Sequence, residues 1–222
     1  MMNLKCTKKE FLEMVIGVIL IGLGGGCFRW SGLGADPFTT MVMAMSNVLP
    51  ISYGNLFLSL NIILLIPMLF VGKRHMNWGT ILNMIGVGYV SDFAMFCLQE
   101  MPKESLIVRT VMMLIGLAII CVGVAIYIYP NKGVGPYDAL QLIAMDLSKG
   151  KVSYQTARWV CDGIALVVAI VVTIASGQTL FEVVGVGTVC ATFLIGVLVQ
   201  KISEWLKQKQ WLDNHSCQTA AA

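Results

Sequence analysis

The sequence predicts an all-α polytopic membrane fold: six transmembrane helices plus two short re-entrant half-helices, arranged as two inverted structural repeats. Three observations predict it. The 222 residues are 57% hydrophobic and only 12% charged, with a mean hydropathy of +0.80, whereas a soluble domain carries about a quarter charged residues. Several apolar runs approach or exceed the roughly 18 residues that cross a bilayer. A short motif occurs twice, as Gly32-Leu33-Gly34-Ala35-Asp36-Pro37-Phe38 and as Gly133-Val134-Gly135-Pro136-Tyr137-Asp138.

The first span is expected over residues 11–28, behind Lys5, Lys8 and Lys9. The run Leu23-Gly24-Gly25-Gly26-Cys27 hints at a lipoprotein cleavage site, but the leucine stands one place too far from the cysteine and no soluble domain follows. A retained span is therefore expected. The first motif then opens a half-helix over 37–48: glycine relieves the backbone at the break, aspartate suits a cap, and proline suits a first helical turn. About a dozen residues reach only ~18 Å of a ~30 Å hydrocarbon core. Full spans come next at 55–71, 78–98 and 106–129, then the second half-helix at 136–147, then spans at 155–175 and 179–200. Residues 1–200 form one membrane domain, with repeats at about 11–98 and 106–200. The tail, 201–222, carries Trp205, Trp211 and several lysines, and reads as a cytoplasmic interfacial anchor with a disordered end.

The repeat rests on residue matches. A shift of 101 places Gly22 on Gly123, Gly32 on Gly133, Gly34 on Gly135, Ser52 on Ser153, Tyr53 on Tyr154, Asn61 on Asp162 and Leu65 on Leu166. A two-residue gap changes the shift to 99, which pairs Thr80 with Thr179, Asn83 with Glu182, Gly86 with Gly185 and Gly88 with Gly187. Three crossings per repeat invert the second copy. With the N-terminus inside, twelve basic residues (Lys5, Lys8, Lys9, Lys73, Arg74, Lys132, Lys149, Lys151, Arg158, Lys201, Lys207 and Lys209) face the cytoplasm. Three (Arg29, Lys103 and Arg109) lie outside, as the positive-inside rule requires. Eight crossings with parallel repeats score eleven against four, so the shortness of the half-helices and the Lys73-Arg74-His75 cluster favour six.

Seven cysteines without a Cys-x-x-Cys spacing, and only His75 and His215, both outside the apolar runs, give no metal or disulfide framework and no Ser–His chemistry within the membrane. No cofactor and no metal are expected. Nucleic acid is excluded as a partner, because no basic stripe or aromatic reader motif is present. An intramembrane aspartyl protease needs a Gly-x-Gly-Asp run, yet Ala35 and Pro136 interrupt both copies. The chain is not expected to be an enzyme.

The Gly-x-Gly-x-Asp-Pro stretch ending at Phe38, the stretch Gly133-Val134-Gly135-Pro136-Tyr137-Asp138-Ala139-Leu140 and the paired Ser-Tyr positions resemble those of the YczE/YyaS/YitT-type membrane proteins of bacteria. The resemblance covers most of residues 11–200, with Tyr137 where family members often carry tryptophan. It implies a bacterial inner-membrane protein with a transport-like role, and carries over no substrate.

Ionisable groups at bilayer depth are costly and therefore candidates for function. Asp36 and Asp138 stand at the half-helix starts, Arg158 and Asp162 four apart on one face of the fifth span, and Asp92 and Glu182 elsewhere in the spans. The candidate substrate-binding set is Asp36, Asp138, Tyr53, Tyr154, Asn61, Asp162 and Arg158. Helix starts attract anions whereas the aspartates oppose them, unless they are protonated or paired with Arg29 or Arg158. The sign of the ligand stays open. The function expected is transport of a small solute, with a proton or cation as candidate coupling ion and the lipid bilayer as surroundings. The alternative is a non-catalytic membrane partner supporting another protein. A homo-oligomer is compatible with either.

Overall fold

The computed structural model describes residues 6–102, 105–149, 151–177 and 184–220. Those residues form eight α-helices and no strand: α1 Lys8–Ser31, α2 Pro37–Ser46, α3 Tyr53–Phe70, α4 Trp78–Leu98, α5 Leu106–Ile128, α6 Pro136–Leu147, α7 Tyr154–Ala175 and α8 Val186–Ala220. A single 3₁₀ turn, Lys73–His75, joins α3 to α4. Six of the helices are long and apolar enough to cross a membrane, the last through Gly187–Leu206. α2 and α6 have 10 and 12 residues, about 15–18 Å of rise, and are too short to span.

Local chemistry sets the starts of these helices. Thr7 and Glu10 form a capping box on α1. The paired Ser-Tyr positions have one explanation: Ser52 and Ser153 are the N-caps of α3 and α7, accepting from the backbone N–H of Asn55 and Thr156, and the tyrosines open the helices. The sixth span begins later than expected, at Gly187 rather than 179, and Thr179 and Glu182 lie outside the described residues. From Lys201 the helix α8 runs on to Ala220, in keeping with a stretch that holds neither glycine nor proline after Gly196.

α1 is the central post, packed between α4 and α5. It can approach both because two glycine faces run along it. A Cβ on Gly24 would lie 2.8 Å from the Gly116 carbonyl of α5, and one on Gly22 would lie 2.7 Å from Val90 Cγ1 of α4. Small residues let membrane helices close without a hydrophobic drive. Gly88 serves α4 and α3 likewise, with its Cβ position 3.1 Å from Gly54 Cα. The outer surface is apolar, with Phe93, Phe96, Ile107 and Ile164 all more than half exposed, as a lipid solvent demands.

Each half-helix segment enters and leaves by the same end of the bundle. Val134 donates to the His75 carbonyl at 3.2 Å before α6, and Asp146 near the close of α6 pairs with Arg74 and His75. At the opposite end, Arg109 holds the Ser31 and Gly32 carbonyls before α2, and α3 starts beside Asp92, which accepts from Gly54 N–H at 2.7 Å. The segments are clasped alike. Gly79 N–H of α4 donates to Lys132 O, and Gly187 N–H of α8 donates to Leu33 O. Gly34 and Gly133 take matching backbone angles, φ 95° and 94°, and Pro37 and Pro136 each begin a helix. Gly34 and Gly133, 99 residues apart, thus share a backbone angle, whereas Gly135 is the N-cap of α6 at φ −58°. The clasping glycines, Gly79 and Gly187, are 108 residues apart, whereas the sequence match sets Gly187 against Gly88.

Candidate functional site

The starts of α2 and α6 converge on a cavity of about 120 Å³ to which all eight helices contribute a wall residue. Ile21, Val87 and Ile120, from the middle of α1, α4 and α5, place it near mid-depth. Asp36 and Asp138 both line it, as do Asn61 of α3 and Arg158 and Asp162 of α7. The remaining two expected residues lie apart. Tyr53 is buried one shell behind the wall, its hydroxyl 3.4 Å from Thr39 Oγ1. Tyr154 lines a wider vestibule of about 550 Å³, which shares Asp138 and Arg158 with the central cavity and extends between the end of α5, the lead-in to α6, the start of α7 and residues 195–204 of α8.

Each polar wall residue has an identifiable local cause. Asp36 is the N-cap of α2, accepting from Thr39 N–H at 3.1 Å. α6 has Gly135 at the same position, which leaves its first turn without a side-chain cap, and Asp138 stands in that turn, where the helix dipole favours negative charge. The four-residue spacing brings Arg158 Nε to 3.6 Å from Asp162 Oδ2, with Asp162 almost fully buried. Asn61 is 1% exposed and spends its amide N–H on the Phe57 carbonyl.

Arg29, one of the two arginines that the sequence offers as a partner for Asp36 or Asp138, is committed elsewhere. It pairs with Asp92 at 2.8 Å, donates to Ser91 Oγ and stacks on the Tyr53 ring at 3.8 Å. The physical reason is reach: it stands on the face of α1 against α4, toward the end of both helices.

Sequence reasoning missed the aromatic half of the site. Tyr137 donates to Asp162 Oδ1 at 2.7 Å and stacks on Phe38 with ring centroids 4.5 Å apart, joining the second residues of the two half-helices. Phe57 meets Phe38 edge-on at 5.5 Å. Tyr127 of α5 also lines the cavity, 1% exposed, with a hydroxyl that has no hydrogen-bond partner among the described residues. The aromatic after each helix-opening proline was visible in the motif, but nothing local announced that the two rings stack.

The match to known families spans nearly the whole of this architecture, residues 8–204. The chain belongs to the DUF6198 family. That family is described as one of unknown function. The chain is 29% identical over 193 residues to Uncharacterized protein YyaS of Bacillus subtilis, covering 86% of this chain and 90% of that one. It is 26% identical over 194 residues to an uncharacterized protein of Haemophilus influenzae, covering 86% and 82%. No significant match is found among solved structures. These relatives place the membrane fold in a bacterial family of the type that the sequence motifs resembled.

Proposed function

We propose that this DUF6198 protein is a small-solute transporter of the bacterial inner membrane, with both termini cytoplasmic and two inverted repeats that alternate access to the central cavity. One observation carries the proposal: two half-helices, entering from opposite ends, point their N-termini at a single mid-depth cavity lined by buried ionisable groups. Irregular backbone inside a membrane is tolerated where it lines a cavity, and broken helices at a repeat interface are the usual construction of a transporter site. The reciprocal clasps at Gly79 and Gly187 support the repeat, since each half's last span holds the other half's lead-in. The vestibule adjoining Asp138 and Arg158 supplies a route to one end.

The test needs no substrate. Asn83, which lines the cavity, is changed to cysteine in a background without native cysteines and exposed to a membrane-impermeant thiol reagent in oriented vesicles. A protein that alternates access labels from both sides. Labelling from one side alone favours the non-catalytic membrane partner instead.

A further inference from the structure

We infer that the central cavity binds a small organic monocation, an alkylammonium of about six non-hydrogen atoms at most. The inference rests on the transporter reading only for what binding accomplishes; the chemistry of the cavity stands by itself.

Charge decides the sign that the sequence left open. Asp36, Asp138 and Asp162 line the cavity against one guanidinium, that of Arg158. Arg29, the other cation in reach by sequence, is spent on Asp92. By formal charge the lining is thus two negative before the helix ends are counted. Two helix N-termini each add about half a positive charge, which leaves about one negative charge. A monocation neutralises that; an anion would raise it.

Unused hydrogen-bonding capacity indicates what kind of cation. The Tyr127 hydroxyl is buried without a hydrogen-bond partner among the described residues. Asp162 Oδ2, on a residue 3% exposed, makes no close hydrogen bond among them and faces Arg158 Nε, likewise without one, at 3.6 Å. Buried polar groups normally have partners, and three unpartnered atoms belong to this lining, the Tyr127 hydroxyl, Asp162 Oδ2 and Arg158 Nε; the two oxygens can accept from a ligand that donates N–H groups. The Phe38, Phe57 and Tyr137 rings add an apolar and cation-attracting wall to the same cavity. A bare metal ion would leave that wall idle, whereas an ammonium with a short hydrocarbon chain uses both sides. Size sets the upper bound: a cavity of about 150 Å³ accepts benzene, with its six carbons, and this one measures about 120 Å³.

Isothermal titration calorimetry on the purified full-length protein in detergent tests this with four probes: n-propylammonium chloride, 1-propanol, sodium propionate and potassium chloride. Saturable binding of propylammonium alone is expected. Tyr127→Phe and Asp162→Asn are each expected to weaken it about tenfold; the tyrosine variant keeps the test open should the aspartate variant fail to fold. Absence of propylammonium binding overturns the assignment, as does equal binding of propanol or propionate, displacement by potassium, or undiminished binding in a folded Tyr127→Phe variant. Propylammonium flux in proteoliposomes separates the two proposals. Binding without flux retains the cation site and removes the transporter, whereas flux of another solute without ammonium binding does the reverse.

Discussion

At the scale of single residues, most ionisable groups at depth have both a structural duty and a place on the cavity wall. Asp36 caps α2 while lining the cavity, so its conformation is held by the helix it starts. Arg158 and Asp162 hold each other at 3.6 Å, and Tyr137 ties Asp162 to the second half-helix. Removing either charge leaves the other buried alone, so Arg158→Met or Asp162→Leu is expected to destabilise the protein by about 3–5 kcal/mol in denaturant unfolding, with the double replacement recovering much of the loss. Additive losses in the double variant would mean that the two side chains do not act as a pair.

At the scale of elements, the half-helices depend on their lead-ins. Gly34 and Gly133 combine a left-handed backbone with contact on the clasping segment. A Cβ on Gly133 would lie 2.7 Å from Asn77 N, and one on Gly34 2.7 Å from Gly185 N. Gly34→Ala and Gly133→Ala therefore face both strain and overlap, where strained backbone alone costs about 1–3 kcal/mol. Each should lower the unfolding midpoint clearly, while Gly163→Ala, at a helical glycine with no atom near its Cβ position, should leave it unchanged or slightly raised. Equal midpoints for all three variants would remove the clasp from the account of this fold.

At the scale of the molecule, the bundle has two chemically distinct ends. One gathers the Lys73–His75 turn, Asp146 and the Lys132–Glu10 pair; the other gathers Arg29, Asp92 and Arg109. Single cysteines at Arg74 and Lys149 should label together from the cytoplasmic face, and those at Leu49 and Glu100 together from the opposite face. Opposite labelling of Arg74 and Lys149 would require eight crossings. α1 packs against both α4 and α5 through its glycine faces.

Composition and hydropathy were enough for the class, the six spans and the two short helices, because burial in lipid writes itself into every residue of a span. The cap at Asp36 was legible too, since a cap is a contact between neighbours in sequence; Ser52 and Ser153 entered only as matching positions, and the structure shows them to be caps. The i, i+4 geometry of Arg158 and Asp162 was legible for the same reason. Contacts made by long-range approach were not legible. The commitment of Arg29 to Asp92, the Phe38–Tyr137 stack, the orphaned Tyr127 hydroxyl and the register of Gly34 with Gly133 join residues far apart in the chain. No local pattern encodes which of two glycines bends, or which of two arginines reaches a carboxylate. Only the tertiary structure, by bringing both half-helix starts to one cavity and taking Arg29 out of it, decided the balance of charge on the cavity wall.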